Sequence, residues 1–508
     1  MKQLFAIIAA SFLPLLGAAQ IEVRTEEQFS MASGDHTPLW LNANKYGLSS
    51  LDVTNGYVRG GVFRHIENDT DRRWAWGAGA DIAVAGGFTS TVVVQQAYGE
   101  LRWLKGLLTV GSKEHPMELH HLELSSGPQT FGINARPVPS VRLSLPDYWD
   151  IPFTKGWVGL KGHIAYGMQT DDNWQKDFTQ RQSKYTEHSK LHTKAGYLRI
   201  GKQDKPFNVE LGLEMACQYG GTSYINGDQT LPVKNEDGLK GMMHAFIPGG
   251  GEAIEPDDYR NMDGNHLGSW LARANYDTED WGISVYADHF FEDQSSMFFL
   301  DYDGYGTGDE WNVKKKSRYF LYDLKDIMLG TEVRLKQIPW LNTIVLEYLY
   351  TKYQCGPMYH DHTQQRPDHV SGIDNYYNHY IFTGWQPWGQ AMGNPLYRSP
   401  LYNTDGLVKI ENNRFWAWHF GFSGDPCQHL HYRVLCTVQK GFGTYDAPFI
   451  EPQHNFSMLT EVAYAFGKAS VFDGWCVKGS LGLDSGELLG DNFGMQLTIL
   501  RNFKFGKR

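Results

Sequence analysis

Beyond its first twenty residues the chain alternates apolar with polar or small residues at period two, the mark of strands with one greasy and one wet face, and the helical period is nearly absent. Within 207–216, Phe207, Val209, Leu211, Leu213 and Met215 share one face, and Asn208, Glu210, Gly212, Glu214 and Ala216 the other. The same rhythm sets Tyr432, Val434, Cys436 and Val438 against Arg433, Thr437 and Gln439, and Phe493, Met495, Leu497 and Ile499 against Gly494, Gln496 and Thr498. Two glutamates on one strand face require water or partners, so the wet face is not a dry core. A soluble sandwich shows the same alternation, and the pattern alone leaves it open.

Connection lengths discriminate further, because outer-membrane barrels join strands by short turns on the periplasmic side and by longer loops outside. Short joins are predicted near 202–206, 276–280, 336–340, 424–428 and 468–472. Between them lie mostly long joins near 168–190, 219–264, 291–324, 355–411, 441–455 and 484–492. Upstream strands are predicted near 157–167, 130–143, 107–114, 92–104, 74–86, 57–66 and 38–45. The reading is all-β: a transmembrane antiparallel β-barrel of about 18 strands, even in number, with long extracellular loops, short periplasmic turns, both chain ends on the short-turn side and a polar inside. A barrel of that size holds an aqueous lumen unless a plug fills it. Trp416, Trp418, Phe420 and Phe422 on one strand face fit a lipid interface, with a sandwich core as the alternative.

Composition agrees and narrows the partners. The 508 residues carry 46 basic and 57 acidic side chains, net −11, which argues against a nucleic-acid binder. A mean hydropathy of −0.44 excludes a bundle of membrane helices but not a barrel. Residues 1–19 read as a secretory signal, with Lys2, an apolar stretch Leu4 to Leu16 and Gly17-Ala18-Ala19 before Gln20, and 20–508 as one outer-membrane barrel domain. The five cysteines form neither a disulfide framework nor a zinc motif. No nucleotide-binding, hydrolase-elbow or zinc-protease motif is present, although a hydrolase assembles its residues from distant loops. Asp301-Tyr302-Asp303-Gly304 with Asp309 and Glu310 lacks EF-hand spacing, and the histidines around His360 and His120-His121 form no ligand pattern, so neither metal nor cofactor is predicted.

The join at 355–411 is the candidate sugar-binding surface, since sugars need flat aromatic faces together with amides and cations. Tyr376, Tyr377, Trp385, Trp388 and Tyr397 supply faces, and Asn375, Asn378, Asn394 and Arg398 supply hydrogen bonds; the alternative is that they pack the loop into the barrel mouth. Lys314, Lys315, Lys316 and Arg318 form a second candidate patch, suited to an acidic polysaccharide or else a solvated face.

Several pieces carry a family resemblance: Asn134-Ala135-Arg136-Pro137-Val138-Pro139 with Val141-Arg142, Asn375-Tyr376-Tyr377-Asn378-His379 with Gly384-Trp385 and Gly393-Asn394-Pro395-Leu396, Asn412-Asn413-Arg414 with His419 and Gly421, and Gly490-Asp491-Asn492-Phe493-Gly494. With them the chain resembles the capsule assembly Wzi family over most of its length. The resemblance implies an eighteen-stranded outer-membrane lectin, not an enzyme, that attaches capsular or exopolysaccharide at the cell surface, and a helical plug near the periplasmic mouth. Only Thr25 to Ala32 reads as a short helix for such a plug. The expected partners are polysaccharide and outer-membrane lipid, with a monomeric protein. A porin-like channel and a surface glycan hydrolase are the competing readings.

Overall fold

A computed structural model describes residues 20–69, 73–248, 264–292, 313, 326–360, 369–467 and 470–505, with backbone alone at 355–360 and 369–373. Eighteen strands form one antiparallel sheet closed on itself. In chain order they are β1 (Ile21–Ser33), β2 (Thr54–Arg64), β3 (Trp74–Gly86), β4 (Val92–Trp103), β5 (Gly106–Ser112), β6 (Ser140–Asp150), β7 (Val158–Met168), β8 (Lys190–Ile200) and β9 (Phe207–Tyr219). The second half comprises β10 (Asn265–Asp277), β11 (Trp281–Glu292), β12 (Ile327–Leu335), β13 (Thr343–Tyr350), β14 (Phe415–Cys427), β15 (Leu430–Gly443), β16 (Pro448–Ala465), β17 (Trp475–Gly486) and β18 (Asn492–Phe505). Each strand pairs with its chain neighbours, and β1 closes on β18 from Ile21↔Phe505 to Ser33↔Phe493, so no strand edge is left to template aggregation.

The predicted faces hold. Val58, Val62, Val84, Leu143, Leu211 and Leu497 point outward and are exposed, as lipid-facing positions must be. Outward-facing Trp418 and Phe420 are exposed as well. Trp74, Trp103, Trp157, Trp281 and Trp340 are exposed at the short-turn rim, where indole rings favour the membrane interface. On the inner face of β3, Ala75, Gly77, Gly79, Ala83 and Ala85 alternate with that outer face, and such small side chains leave room for chain inside the barrel.

That room is filled by connections from the long-loop side. Segments 34–53, 113–139 and 374–414 turn into the lumen and contribute Leu39, Trp40, Leu41, Leu124, Tyr376, Tyr377, Trp385, Leu396, Tyr397 and Ile410 to the main buried cluster. The only helix in the first of them is α1 (Leu39–Asn42), one turn long. The plug is therefore made of irregular loop, and the helical plug at the periplasmic mouth implied by the resemblance is not formed among the described residues.

Three local expectations are corrected. Thr25–Ala32 is strand, not helix: Glu26, Gln28 and Ser30 face the lumen and Phe29 and Met31 face out. Residues 38–45 are plug, not strand; their apolar run is buried against the inner wall, with Leu39 N donating to Asp484 Oδ2 at 2.9 Å. The predicted strand 130–143 begins only at Ser140, because Pro137 and Pro139 have no N–H to give a ladder.

Candidate functional site

The plug is held by polar side chains on the barrel's inner wall. Glu347 on β13 is fully buried. Its Oε1 accepts from Ser125 Oγ at 2.5 Å and Tyr286 OH at 2.6 Å, and its Oε2 from Ser126 N at 2.8 Å and Ser126 Oγ at 2.6 Å. Asp288 on β11 takes the next turn of the same loop, accepting from Gln129 N at 2.7 Å. His419 on β14 bridges Leu124 O and Thr437 Oγ1, both at 2.8 Å. Such groups satisfy loop amides that would otherwise be stranded inside the barrel.

Most of the predicted sugar-binding aromatics belong to this plug. Tyr376, Tyr377, Trp385, Tyr397 and Asn394 have no exposed surface, and Trp388 retains 9 %. Tyr377 and Tyr397 stack at 4.0 Å between centroids, Tyr376 meets Phe290 edge-on at 4.8 Å, and Trp388 lies under the Arg136 guanidinium at 4.2 Å. Trp385 Nε1 donates to Thr130 O at 3.0 Å, Tyr397 OH to Gln129 Oε1 at 2.9 Å and Asn394 Nδ2 to Ser126 Oγ at 3.1 Å. These faces are closed to a ligand in this structure. Packing a loop into a polar lumen and binding a sugar both call for aromatic planes plus amides, and burial assigns this set to packing. Arg398 is half-buried and turned to the protein, donating to Glu411 Oε2 at 2.7 Å and Asn403 Oδ1 at 2.6 Å. Lys314, Lys315, Lys316 and Arg318 lie outside the described residues, as does the acidic stretch 301–310.

Two predicted residues do reach an open surface. Asn375 and Asn378 line a groove of about 1150 Å³ on the long-loop side, with Lys184, Tyr380, Lys409, Glu411, Asp446, Phe449, Ile450 and Gln453. The β15–β16 hairpin forms one bank, since β16 extends for 18 residues and carries Ile450 clear of the barrel. Asn378 braces the other bank in a reciprocal pair with the Ile410 backbone, both bonds at 2.8 Å, and Asn375 Nδ2 ties the banks by donating to Asp446 Oδ2 at 3.0 Å. Tyr380 is 73 % exposed and offers an uncovered ring. His379 is a turn cap rather than a ligand, its Nδ1 accepting from Ile381 N at 3.0 Å and Phe382 N at 3.2 Å. Burial, with Lys184 beside it, pulls its pKa down to about 3, so it is neutral.

Sequence reasoning missed Tyr380, Lys184, Lys409, Asp446 and the hairpin bank; the sole signal was the exposed-type mixture Tyr380 beside Asn375–His379. Lys184 donates to His379 O, and burial pulls its pKa down to about 8. The groove therefore loses a positive charge within reach of ordinary buffers. An acidic ligand held in the groove is expected to lose about threefold in affinity between about pH 7 and about pH 9, where the Lys184 ammonium empties. K184M should abolish that slope, and an equal slope in wild type and K184M, read by binding titrations at each pH, would assign it elsewhere.

No protein-family model matches the chain, and no match to a curated protein is found. Among solved structures, Wzi of Escherichia coli, described as an outer-membrane protein involved in group 1 capsule assembly and a carbohydrate-binding β-barrel, matches with a TM-score of 0.54 at 13 % identity, covering 99 % of this chain and 88 % of that one. OccK3 of Pseudomonas aeruginosa matches with a TM-score of 0.47 at 10 % identity, over 97 % of this chain and 98 % of that one, and OprD of the same organism with 0.46 at 9 %, over 96 % and 97 %. At these identities the Wzi match establishes the architecture: the chain has the fold of an eighteen-stranded outer-membrane β-barrel.

Proposed function

We propose that the protein is an exported, non-catalytic outer-membrane lectin that holds capsular or exopolysaccharide in the groove at its outer mouth. The observation that carries this reading is the in-folded plug: three long-loop-side segments fill the lumen with buried aromatics and amides and leave their outer surface as a groove with an exposed ring, cations and carboxylates. A polymer is then held at the mouth and not passed through it. The groove's mixed charge suits a glycan bearing both hydroxyls and acidic groups. The carbohydrate-binding description of the Escherichia coli Wzi protein, which shares the architecture, supports the same direction.

The test is titration of the detergent-solubilised protein with polysaccharide from the producing strain, followed for hours for shortening of the polymer. Saturable binding without cleavage is expected. A Y380A/K409A double variant should weaken it by about tenfold, the loss of one stacking face and one charge-assisted contact, with the unheated gel mobility of the barrel unchanged. Cleavage would make the protein a hydrolase. Absence of binding, together with steady conductance in planar bilayers, would make it a channel, the reading favoured by the charged cavity along the inner wall described next.

A further inference from the structure

Between the plug and the inner wall of β4 to β8 runs a second cavity of about 480 Å³. It extends from Glu67, Arg102 and Asp147 at the short-turn rim to Val138, Ser140 and Leu191 near the long-loop side. Its volume lies in the range of small-molecule sites.

Arg102, Lys113, Arg136, Arg142 and Lys161 are matched in number by Glu67, Glu100, Glu114, Glu118 and Asp147 along this lining, but Arg142 is left without a partner. Three of the carboxylates are engaged: Glu100 accepts from Lys113 Nζ at 2.6 Å, Glu114 from Arg59 Nη2 at 2.9 Å, and Glu118 from Lys161 Nζ at 2.5 Å. Glu214, behind the wall, accepts from Tyr197 OH at 2.6 Å. Glu67 and Asp147 are exposed at the rim. Arg142, on β6, lines the middle of the cavity and makes neither an ion pair nor a hydrogen bond among the described residues, with Tyr197, Glu118 and Glu214 acting on it only through space. Arg136, in the plug above, is 9 % exposed and likewise has no carboxylate partner: its Nη2 donates to Thr89 Oγ1 at 3.0 Å and its Nε to Gly47 O at 3.5 Å. His163, 8 % exposed and two positions nearer the short-turn rim than Ala165, the register partner of Arg142, has an unpartnered Nε2 that is sealed from the cavity. An inward cation without an anion is a costly feature in a protein interior, and a ligand anion removes that cost.

We infer that this cavity is a binding site for a small organic carboxylate of about monosaccharide size, entered from the periplasmic rim, with Arg142 as the anchor of the carboxylate. The planar guanidinium fork matches a carboxylate in two parallel bonds, which an ammonium cannot reproduce. The site is separate from the outer groove, and a polymer held outside neither fills nor blocks it.

The experiment is calorimetric titration of the full-length, detergent-solubilised protein with glucuronate, with glucose as the uncharged ring and inorganic phosphate as the alternative anion. Glucuronate should bind saturably, glucose at least about tenfold more weakly, and phosphate more weakly than glucuronate. R142Q should cost about tenfold in glucuronate affinity and R142K a smaller loss, because the charge remains while the fork is gone. For the wild type alone, affinity should fall by at least about threefold on raising salt from about 50 to about 500 mM, a readout independent of whether R142Q folds. Equal binding of glucose and glucuronate, salt-insensitive binding, tighter binding of phosphate, or R142Q binding like wild type would each overturn the assignment and leave Arg142 as a water-solvated cation of the lumen.

Discussion

Replacing Glu347 by alanine is expected to destabilise the plugged barrel by at least about 3 kcal/mol, because it strands several buried donors that each cost about 1–3 kcal/mol when unsatisfied. Four bonds converge on this carboxylate, three from the Ser125-Ser126 turn and one from Tyr286. The turn is also where Asn394 from the 374–414 segment docks, through Ser126 Oγ at 3.1 Å. Losing Glu347 therefore loosens two plug segments from one point on β13. Glu347→Gln should cost less, about 1–1.5 kcal/mol: the amide oxygen can keep both Ser126 bonds while the amide NH₂ turns to Ser125 Oγ and Tyr286 OH, hydroxyls that are able to accept. The ordering E347A worse than E347Q worse than wild type should appear in the temperature at which the barrel loses its fast gel mobility. Conductance in planar bilayers should rise in the same order as the loop leaves the lumen. A stable E347A protein with wild-type conductance would show that Asp288 and His419 hold the loop without help.

The same residues explain what was legible in the sequence and what was not. Strand positions with a strict apolar–small alternation were readable almost to the residue, as at Trp74–Gly86, because lipid outside and lumen inside impose opposite demands on successive side chains. β1 was not, since Thr25 and Glu27 sit on its outer face among Val23, Phe29 and Met31 and dilute the period. The total of eighteen came out correct because the plug run at 38–45 was counted in its place; a short apolar segment looks alike whether it is buried by lipid or by the inside of a barrel.

The site was partly legible for a related reason. The pieces that carry the family resemblance fall largely inside the plug or where it meets the wall: Asn134 Nδ2 donates to Ala391 O at 2.9 Å and Asn413 Nδ2 to Tyr376 O at 2.9 Å between plug residues, and His419 on the wall contacts Leu124. Gly393 shows the constraint most sharply, for a Cβ there would lie 2.0 Å from Tyr377 OH and 2.1 Å from Gln129 O, so the 113–139 and 374–414 segments cross at a point with no space for a side chain. These motifs specify how the lumen is closed. The outer groove is built instead from the ends of the loops and the β15–β16 hairpin, where no local pattern marks which side chains will converge.

Replacing Asp81 by alanine is the second large effect, expected at about 3 kcal/mol or more, because it removes one partner of a buried ion pair and leaves the other charge behind. Asp81 on β3 has no exposed surface and Arg59 on β2 retains 6 %. Arg59 Nε lies 2.9 Å from both carboxylate oxygens and Nη2 lies 2.6 Å from Oδ2. The same Nη2 also reaches Glu114 Oε1 at 2.9 Å, and Gln95 Nε2 donates to that oxygen at 2.8 Å. One guanidinium thus joins two adjacent strands to the first residues of the 113–139 segment. In D81A the guanidinium keeps Glu114 alone, in a wall whose other buried acids are already engaged. Removing both charges together is a different perturbation: R59M/D81L deletes the pair without stranding Arg59, Glu114 retains Gln95, and at least half of the lost stability should return. Urea titrations of wild type, D81A and R59M/D81L in lipid vesicles, followed by tryptophan fluorescence, make the comparison. If the double variant is as unstable as D81A or worse, then geometry lost around Glu114, and not the uncompensated charge, dominates, and the link from β2 and β3 to the plug is the feature that stabilises this side of the barrel.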